Sequence, residues 1–464
     1  MSERQKRRIA VLGGGVTGLV AAYRLVQRGY TVVLIEKEDD VGGLARTRNK
    51  GEYHLDFGPH FLTSENTDII NELTGFFLEG ELMNFERKAK IFLQDRYLDY
   101  PLTARNVLMH MGIKNAAHSA ASYAAAFIAG RIRTASNDHN CFKTWAIKNF
   151  GHHLYNIFFK PYTEQFWKMP CEKMSMDCVP LVTKMSYLKT LKMLFSKRFS
   201  KKSLSLVERE TTLPLFYPKK GIGALSIKLK QCIEDGGGQI FTGSSVTGLD
   251  TSEKKYRVDF CKNGTEESIE VDQVISTIPI THLVAALRPE PPQDIRSSAS
   301  ALSYLSLIVV YIAFKKRPVM DCSYLYLLDR PYNRITNTNA YCPHTSPDDE
   351  NMLGLEITCN AEDSIWKMSD KDLFHMCMEH LEKDGFLKPP EVTNYFVIRA
   401  PNAYPKYKLG YKENLQRVEL YLAEIPNLKV TGRTGSFKYM DIDQCFGEVG
   451  DLTEEFYPPI LGVD

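Results

Sequence analysis

Hydrophobic and polar positions follow three rhythms along the chain. Near the start, Ile9, Ala10, Val11 and Leu12 form an unbroken apolar run closed by glycine, the signature of a strand buried on both faces. From Val16 to Arg28, apolar residues Leu19, Ala22, Tyr23 and Val26 recur at helical spacing, and a second short run, Thr31 to Ile35, stops at Glu36. Strand, tight turn, helix and strand are therefore predicted in that order. Phe85 to Leu102 predicts a strand, a turn and a strand, and residues 103 to 209, poor in glycine, predict a mainly helical region. Residues 216 to 250 predict a loop, an amphipathic helix from about Ala224, a turn at Gly236 to Gly238 and a strand. VDQVISTIPI, 271 to 280, predicts a further buried strand ending near Ser276 and Thr277. Alternating runs between Ser303 and Glu356 predict an antiparallel sheet, and Asn427 to Thr431 a last strand that breaks into a helix.

The first turn carries chemistry. Gly13, Gly15 and Gly18 have the G-x-G-x-x-G spacing, in which the first glycine permits the turn, the second admits a pyrophosphate against the backbone, and the third lets helix pack on strand. Val16 and Thr17 then open the helix, whose free N–H groups and dipole attract phosphate. Glu36, eighteen residues beyond Gly18, closes the second strand where a carboxylate accepts both hydroxyls of an adenosine ribose. A dinucleotide-binding site is predicted. In DDVGGLARTR, Gly42, Gly43 and Arg46 form a second glycine turn with a cation for the same pyrophosphate.

Composition narrows the rest. A length of 464 residues suggests two or three domains, and 44% hydrophobic and 25% charged residues with a net charge of +2 describe an ordinary globular chain with no call on nucleic acid. The opening MSERQKRR lacks the apolar core of a secretory signal, and no apolar run reaches membrane-spanning length, so a cytoplasmic protein is expected. Ten cysteines without a C-x-x-C pair fit reduced, packed thiols, and no spacing of ligands calls for a metal. Between Cys178 and Val207 no acid occurs while seven lysines and arginines from Lys184 to Lys202 do; a solvated face is the default, with attraction of a diphosphate or peripheral contact with an anionic membrane as the alternatives.

Taken together, the two glycine turns resemble those of the flavin-binding amine oxidase and mutase superfamily, which implies FAD and adds Lys37 and Leu44 to the cofactor contacts. GPHFLTSEN, with Gly58, Pro59 and His60, resembles the GPHIFHT-type loop that UDP-galactopyranose mutases lay against one face of the flavin. The strand near Val246 is expected to meet the adenine. In WAIKNFGHHLYNIFFKPYTEQFWKMP, 145 to 170, Tyr162 and Trp167 take the place of cleft-lining aromatics, and in RPYNRI, Arg334 matches an arginine that reaches the substrate diphosphate. GRTGSFKYMDIDQ resembles the mutase signature GRLGTYRYLDMD: Gly432 and Arg433 would approach the flavin, Tyr439 the diphosphate, and Asp441 and Ile442 would aim a helix N-terminus at the flavin edge, with Tyr404 or Tyr407 as a further phosphate partner.

The resemblance implies an α/β fold: a discontinuous Rossmann-like FAD domain (1–85, 210–300, 400–464), a helical insertion (86–209) and an antiparallel β-sheet substrate domain (301–399). It implies a mutase acting on a nucleotide sugar in polysaccharide or glycoconjugate biosynthesis, in which N5 of externally reduced FAD attacks the anomeric carbon and the ring contracts without net redox, His60 and Arg334 being the catalytic side chains. Side chains there mainly position and neutralise charge, which fits a chain without an evident triad. Two features keep a second reading open. No arginine occurs between Lys168 and Lys197, and DIDQCFGEVGD also resembles protoporphyrinogen-oxidase-like relatives, so the alternative is an oxidoreductase taking hydride from a C–N or C–C bond.

Overall fold

A computed structural model describes residues 7–93, 96–100, 117–119, 121–126, 128, 141–178 and 213–457. The basic run 184–202 and most of the expected helical insertion lie outside the described residues.

The opening elements form where the periodicity placed them: β1 (Arg8–Leu12), α1 (Val16–Gln27) and β2 (Thr31–Ile35). The two strands pair in parallel from Arg8 opposite Thr31 to Leu12 opposite Ile35. Their buried faces explain the lack of alternation, because helices cover both sides of a parallel sheet. The sheet is completed by strands distant in sequence: Gln273–Ser276 pairs with β1, Leu428–Val430 with Gln273–Ser276, and Gln239–Phe241 with β2. A meander of Ser244–Asp250, Tyr256–Lys262 and Thr265–Val271 stands beside it, and the helices Gly223–Asp235 and Ile442–Phe456 pack on α1.

The second layer is a seven-stranded sheet. Tyr304–Lys315 lies next to one edge, between Glu350–Cys359 and the edge strand Val392–Pro405. Arg334–Asn337 and Tyr324–Leu327 follow, and then the hairpin Ala89–Leu93/Arg96–Tyr100. That hairpin corrects the expected boundaries: Ala89–Leu93 pairs in parallel with Tyr324–Leu327, so residues assigned to the helical insertion extend the sheet instead. Of the insertion itself, Phe142–Leu154 and Lys160–Trp167 are helical and joined by a π-turn at Tyr155–Phe159.

One buried carboxylate ties the layers together. Asp56 accepts hydrogen bonds from the Thr47 hydroxyl (2.6 Å), the Tyr217 hydroxyl (2.7 Å) and the Ile222 N–H (3.3 Å), while the Tyr311 hydroxyl donates to its carbonyl (2.6 Å). Burial nonetheless pushes its pKa up to about 6. All ten cysteines are free, no helix of the described residues is long and apolar enough to cross a membrane, and no group of three potential metal ligands occurs among them.

Candidate functional site

The first turn closes as its glycines require. Gly13 sits at φ +101° with its N–H donating to the Ile35 carbonyl, and a Cβ on Gly18 would lie 1.9 Å from the Gly13 oxygen, so Gly18 serves the contact of helix with strand. Gly15 caps α1 in an extended conformation. The second glycine turn comes up against it: Gly42 N–H donates to the Gly14 carbonyl, and a Cβ on Gly43, itself at φ +56°, would stand 3.0 Å from the Gly15 Cα. Both turns, with Val16, Thr17 and Leu44, line one cavity.

Glu36 lines the same cavity and is buried. Its two oxygens each take one backbone donor, Gly14 N–H at 2.6 Å and Glu38 N–H at 2.9 Å, which aims the carboxylate while leaving lone pairs open. Beyond Glu36 the wall is Lys37, Ser245, Val246 and His282. Ser245 and His282 escaped the sequence reading because neither stands in a motif. Arg46 is buried, donates to Glu38 at 2.8 Å and lies 4.5 Å from the Phe57 ring centre; its Nε has no acceptor among the described residues.

At the other wall, His60 Nδ1 stands 3.0 Å from the Gly58 carbonyl. Since a carbonyl only accepts, the proton belongs on Nδ1 and Nε2 is left as an acceptor. Burial, then the charges of Arg433 and Arg334, lower the His60 pKa to about 4, so the ring is neutral at physiological pH. The unfolded chain takes up this proton near the ordinary 6.5 and the folded one only near 4. Stability therefore falls as pH drops through that window. Urea titrations at stepped pH should show wild type losing ground to His60→Gln between pH 6.5 and 4; a constant difference would remove the buried neutral imidazole.

Arg433 reaches the cavity from the break after the last strand. It donates to the carbonyls of Ala403 (2.8 Å) and Met440 (3.2 Å), and its guanidinium lies 4.2 Å from the Tyr439 ring centre and 5.1 Å from that of Tyr404. These two rings are parallel, 6.3 Å apart. Ile442 lines the cavity, whereas Asp441 caps its helix through a box with Gln444, and Gly432 packs on Thr17.

Arg334 is present but not alone. Its Nε and Nη2 donate to the two oxygens of Glu356 at 2.8 and 2.6 Å, and the Thr336 hydroxyl adds a third bond at 3.0 Å. Glu356 is buried, faces Arg334 across the strand pair, and lies against Gly58. Sequence reasoning missed it, although a single carboxylate inside the apolar run MLGLEITC was the available signal. Tyr162 stands edge-on to Tyr326 at 6.1 Å, close enough to feel the Arg334 charge.

Two expectations are corrected. Trp167 is 1% exposed, packed against Phe166 and Tyr407, because it falls on the buried face of its helix; it does not reach the cleft. Tyr407 is buried as well, and its hydroxyl is taken by the Tyr439 N–H at 2.9 Å, so it props Tyr439 instead of facing a phosphate.

The cavity fits FAD on its own geometry. Gly15 and Gly43 make a backbone cradle into which a Gly15 Cβ would project with no protein atom nearer than 4.0 Å, and the unsatisfied Nε atoms of Arg46 and Arg433 suit anionic or carbonyl oxygens. A strand–turn–helix dinucleotide cradle covered by a second, β-rich layer defines a flavoprotein of the oxidase and mutase type, with FAD as cofactor. Comparison with known proteins makes this specific: the pattern for flavin containing amine oxidoreductases matches residues 16–397, and the chain belongs to that family. Coproporphyrinogen III oxidase of Bacillus subtilis (strain 168) is 23% identical over 96% of both chains. A Klebsiella pneumoniae protein named probable UDP-galactopyranose mutase is 25% identical over 35% of this chain and 41% of its own. A crystal structure of reduced UDP-galactopyranose mutase superposes with a TM-score of 0.82 at 21% identity, covering 97% of this chain and 95% of that one.

Proposed function

We propose that this flavoenzyme is a mutase acting on a nucleotide-activated sugar, on the single observation that the cleft beside His60 is cationic and aromatic with a neutral histidine. Arg334 and Arg433 converge on it with Tyr162, Tyr404 and Tyr439, an assembly suited to orienting an anion and neutralising its charge. In this reading the N-terminus of α1 and Arg46 hold the cofactor pyrophosphate, Glu36 the ribose, Val246 the adenine and the Gly58–His60 loop one face of the ring. Bound there and reduced from outside, FAD supplies a nucleophile to the anomeric carbon. The protein's own contribution is positional: Glu356 fixes the Arg334 fork, Tyr407 fixes Tyr439, and the Ala403 and Met440 carbonyls hold the Arg433 guanidinium in place for the departing diphosphate.

Incubation with a panel of nucleotide-activated pyranoses should give furanose product only after dithionite reduction, with no net change in flavin redox state. The end-to-end likeness to a coproporphyrinogen oxidase favours the second reading, a hydride-removing oxidoreductase. Steady oxygen consumption with a porphyrinogen or an amine, without prior reduction, would replace the first reading by the second.

A further inference from the structure

The edge strand of the β-layer breaks its own geometry where it meets the FAD cavity. Among the described residues six non-glycines have positive φ, and of these only Asn402, at +56°, lies inside a strand, Val392–Pro405. Against Tyr304–Lys315, Tyr404 pairs with Leu305 and Ala400 with Leu307, so Pro401, Asn402 and Ala403 together face the single residue Ser306. The strand bulges there, at a proline that has no N–H to give to the ladder.

The bulge delivers several groups to one wall. Ala400 and Ala403 join Phe57 in one apolar cluster, the Ala403 carbonyl accepts from Arg433 at 2.8 Å, and Ala400, Pro401 and Asn402 line the cavity. It is the wall of Arg433 and, within reach of that charge, His60, the residues assigned to the flavin ring. The Asn402 carboxamide is half-buried and has no hydrogen-bond partner among the described residues. Asparagines in this conformation commonly bond their own backbone, and glycine would hold the turn more easily. What asparagine adds here is an amide facing the cavity.

We infer that Asn402 hydrogen-bonds the isoalloxazine of bound FAD through its NH2 group and raises the reduction potential of the ring. The carbonyl and nitrogen acceptors of the isoalloxazine gain electron density on reduction, so a donor beside them favours the reduced form. The inference rests on the placement of the ring at this wall and holds for either of the two chemistries above.

Reductive titration of the FAD-loaded variants against a reference dye tests it. Asn402→Gly keeps the backbone conformation and removes the amide; it should lose roughly tenfold in the preference for reduced over oxidised flavin, about 30 mV for a two-electron couple. Asn402→Asp, which also tolerates positive φ and serves if the glycine variant fails to hold flavin, puts a carboxylate in place of the donor and should lose roughly a hundredfold, about 60 mV. A role confined to the bulge would change the melting temperature and leave the potential alone. Either variant holding FAD at the wild-type potential overturns the inference, as does loss of FAD from both, which would assign Asn402 to the fold and not to the ring. His60→Gln is the reference: if it shifts the potential and the Asn402 variants do not, Asn402 alone falls, and if none of the three shifts it, the ring placement falls as well.

Discussion

Gly15→Val is expected to give a folded protein that no longer retains FAD, whereas Gly18→Ala is expected to yield little folded protein at all. The two glycines belong to one motif and fail for different reasons. At Gly15 the backbone is extended, with φ of −68°, and an added Cβ meets nothing closer than the Gly43 Cα at 4.0 Å, an ordinary contact. Its branches would occupy the space between the two glycine turns that the pyrophosphate needs. At Gly18 the Cβ would stand 1.9 Å from the Gly13 carbonyl oxygen and 3.1 Å from the Thr277 hydroxyl, so the strand, the turn and the helix would have to separate. Circular dichroism and flavin absorbance of the purified variants distinguish the cases: native dichroism without yellow colour for Gly15→Val, with FAD affinity down by roughly a hundredfold or more. Stoichiometric flavin in Gly15→Val would contradict the placement of the cofactor.

Glu356→Ala is expected to cost about 2–4 kcal/mol of stability, because it strands the half-buried Arg334 without its bidentate, buried partner. The Thr336 hydroxyl loses its acceptor in the same step. Removing both charges is a different matter. Arg334→Met with Glu356→Leu replaces a desolvated pair by apolar packing of similar volume, which restores most of that loss while abolishing the anion-binding function. Urea denaturation of the two single variants and the double variant measures the coupling; a loss below about 1 kcal/mol in Glu356→Ala would mean that water reaches the pair.

The local part of the site was legible in the sequence. Turn, helix and strand around Gly13, Gly15, Gly18 and Glu36 lie within thirty residues, and both hydrophobic periods and glycine spacing report such short-range geometry. The closing segment was legible through its likeness to the mutase signature, and Arg433 and Ile442 do stand on the cavity that Gly15 lines. What depends on strand register was not. Arg334 meets Glu356 because two antiparallel strands align those positions, and nothing local states that alignment. The hairpin at 89–100 was read correctly as two strands, yet its parallel partner is more than two hundred residues away. Trp167 misled because an aromatic cluster looks alike whether a helix turns it to a ligand or to the core.

The five-stranded sheet has a consequence for biosynthesis. Its strands come from residues 8–12, 31–35, 239–241, 273–276 and 428–430, so the strand at 8–12 waits for its second neighbour at 273–276, and that neighbour in turn for the edge strand at 428–430. The wall bearing Arg433, Met440 and Cys445 arrives later still. Until then the apolar faces of Ile9–Leu12 and Val32–Ile35 have no complete cover. Flavin loading must therefore follow translation, and the nascent chain carries a long interval of aggregation risk during which holdase chaperones have most to protect.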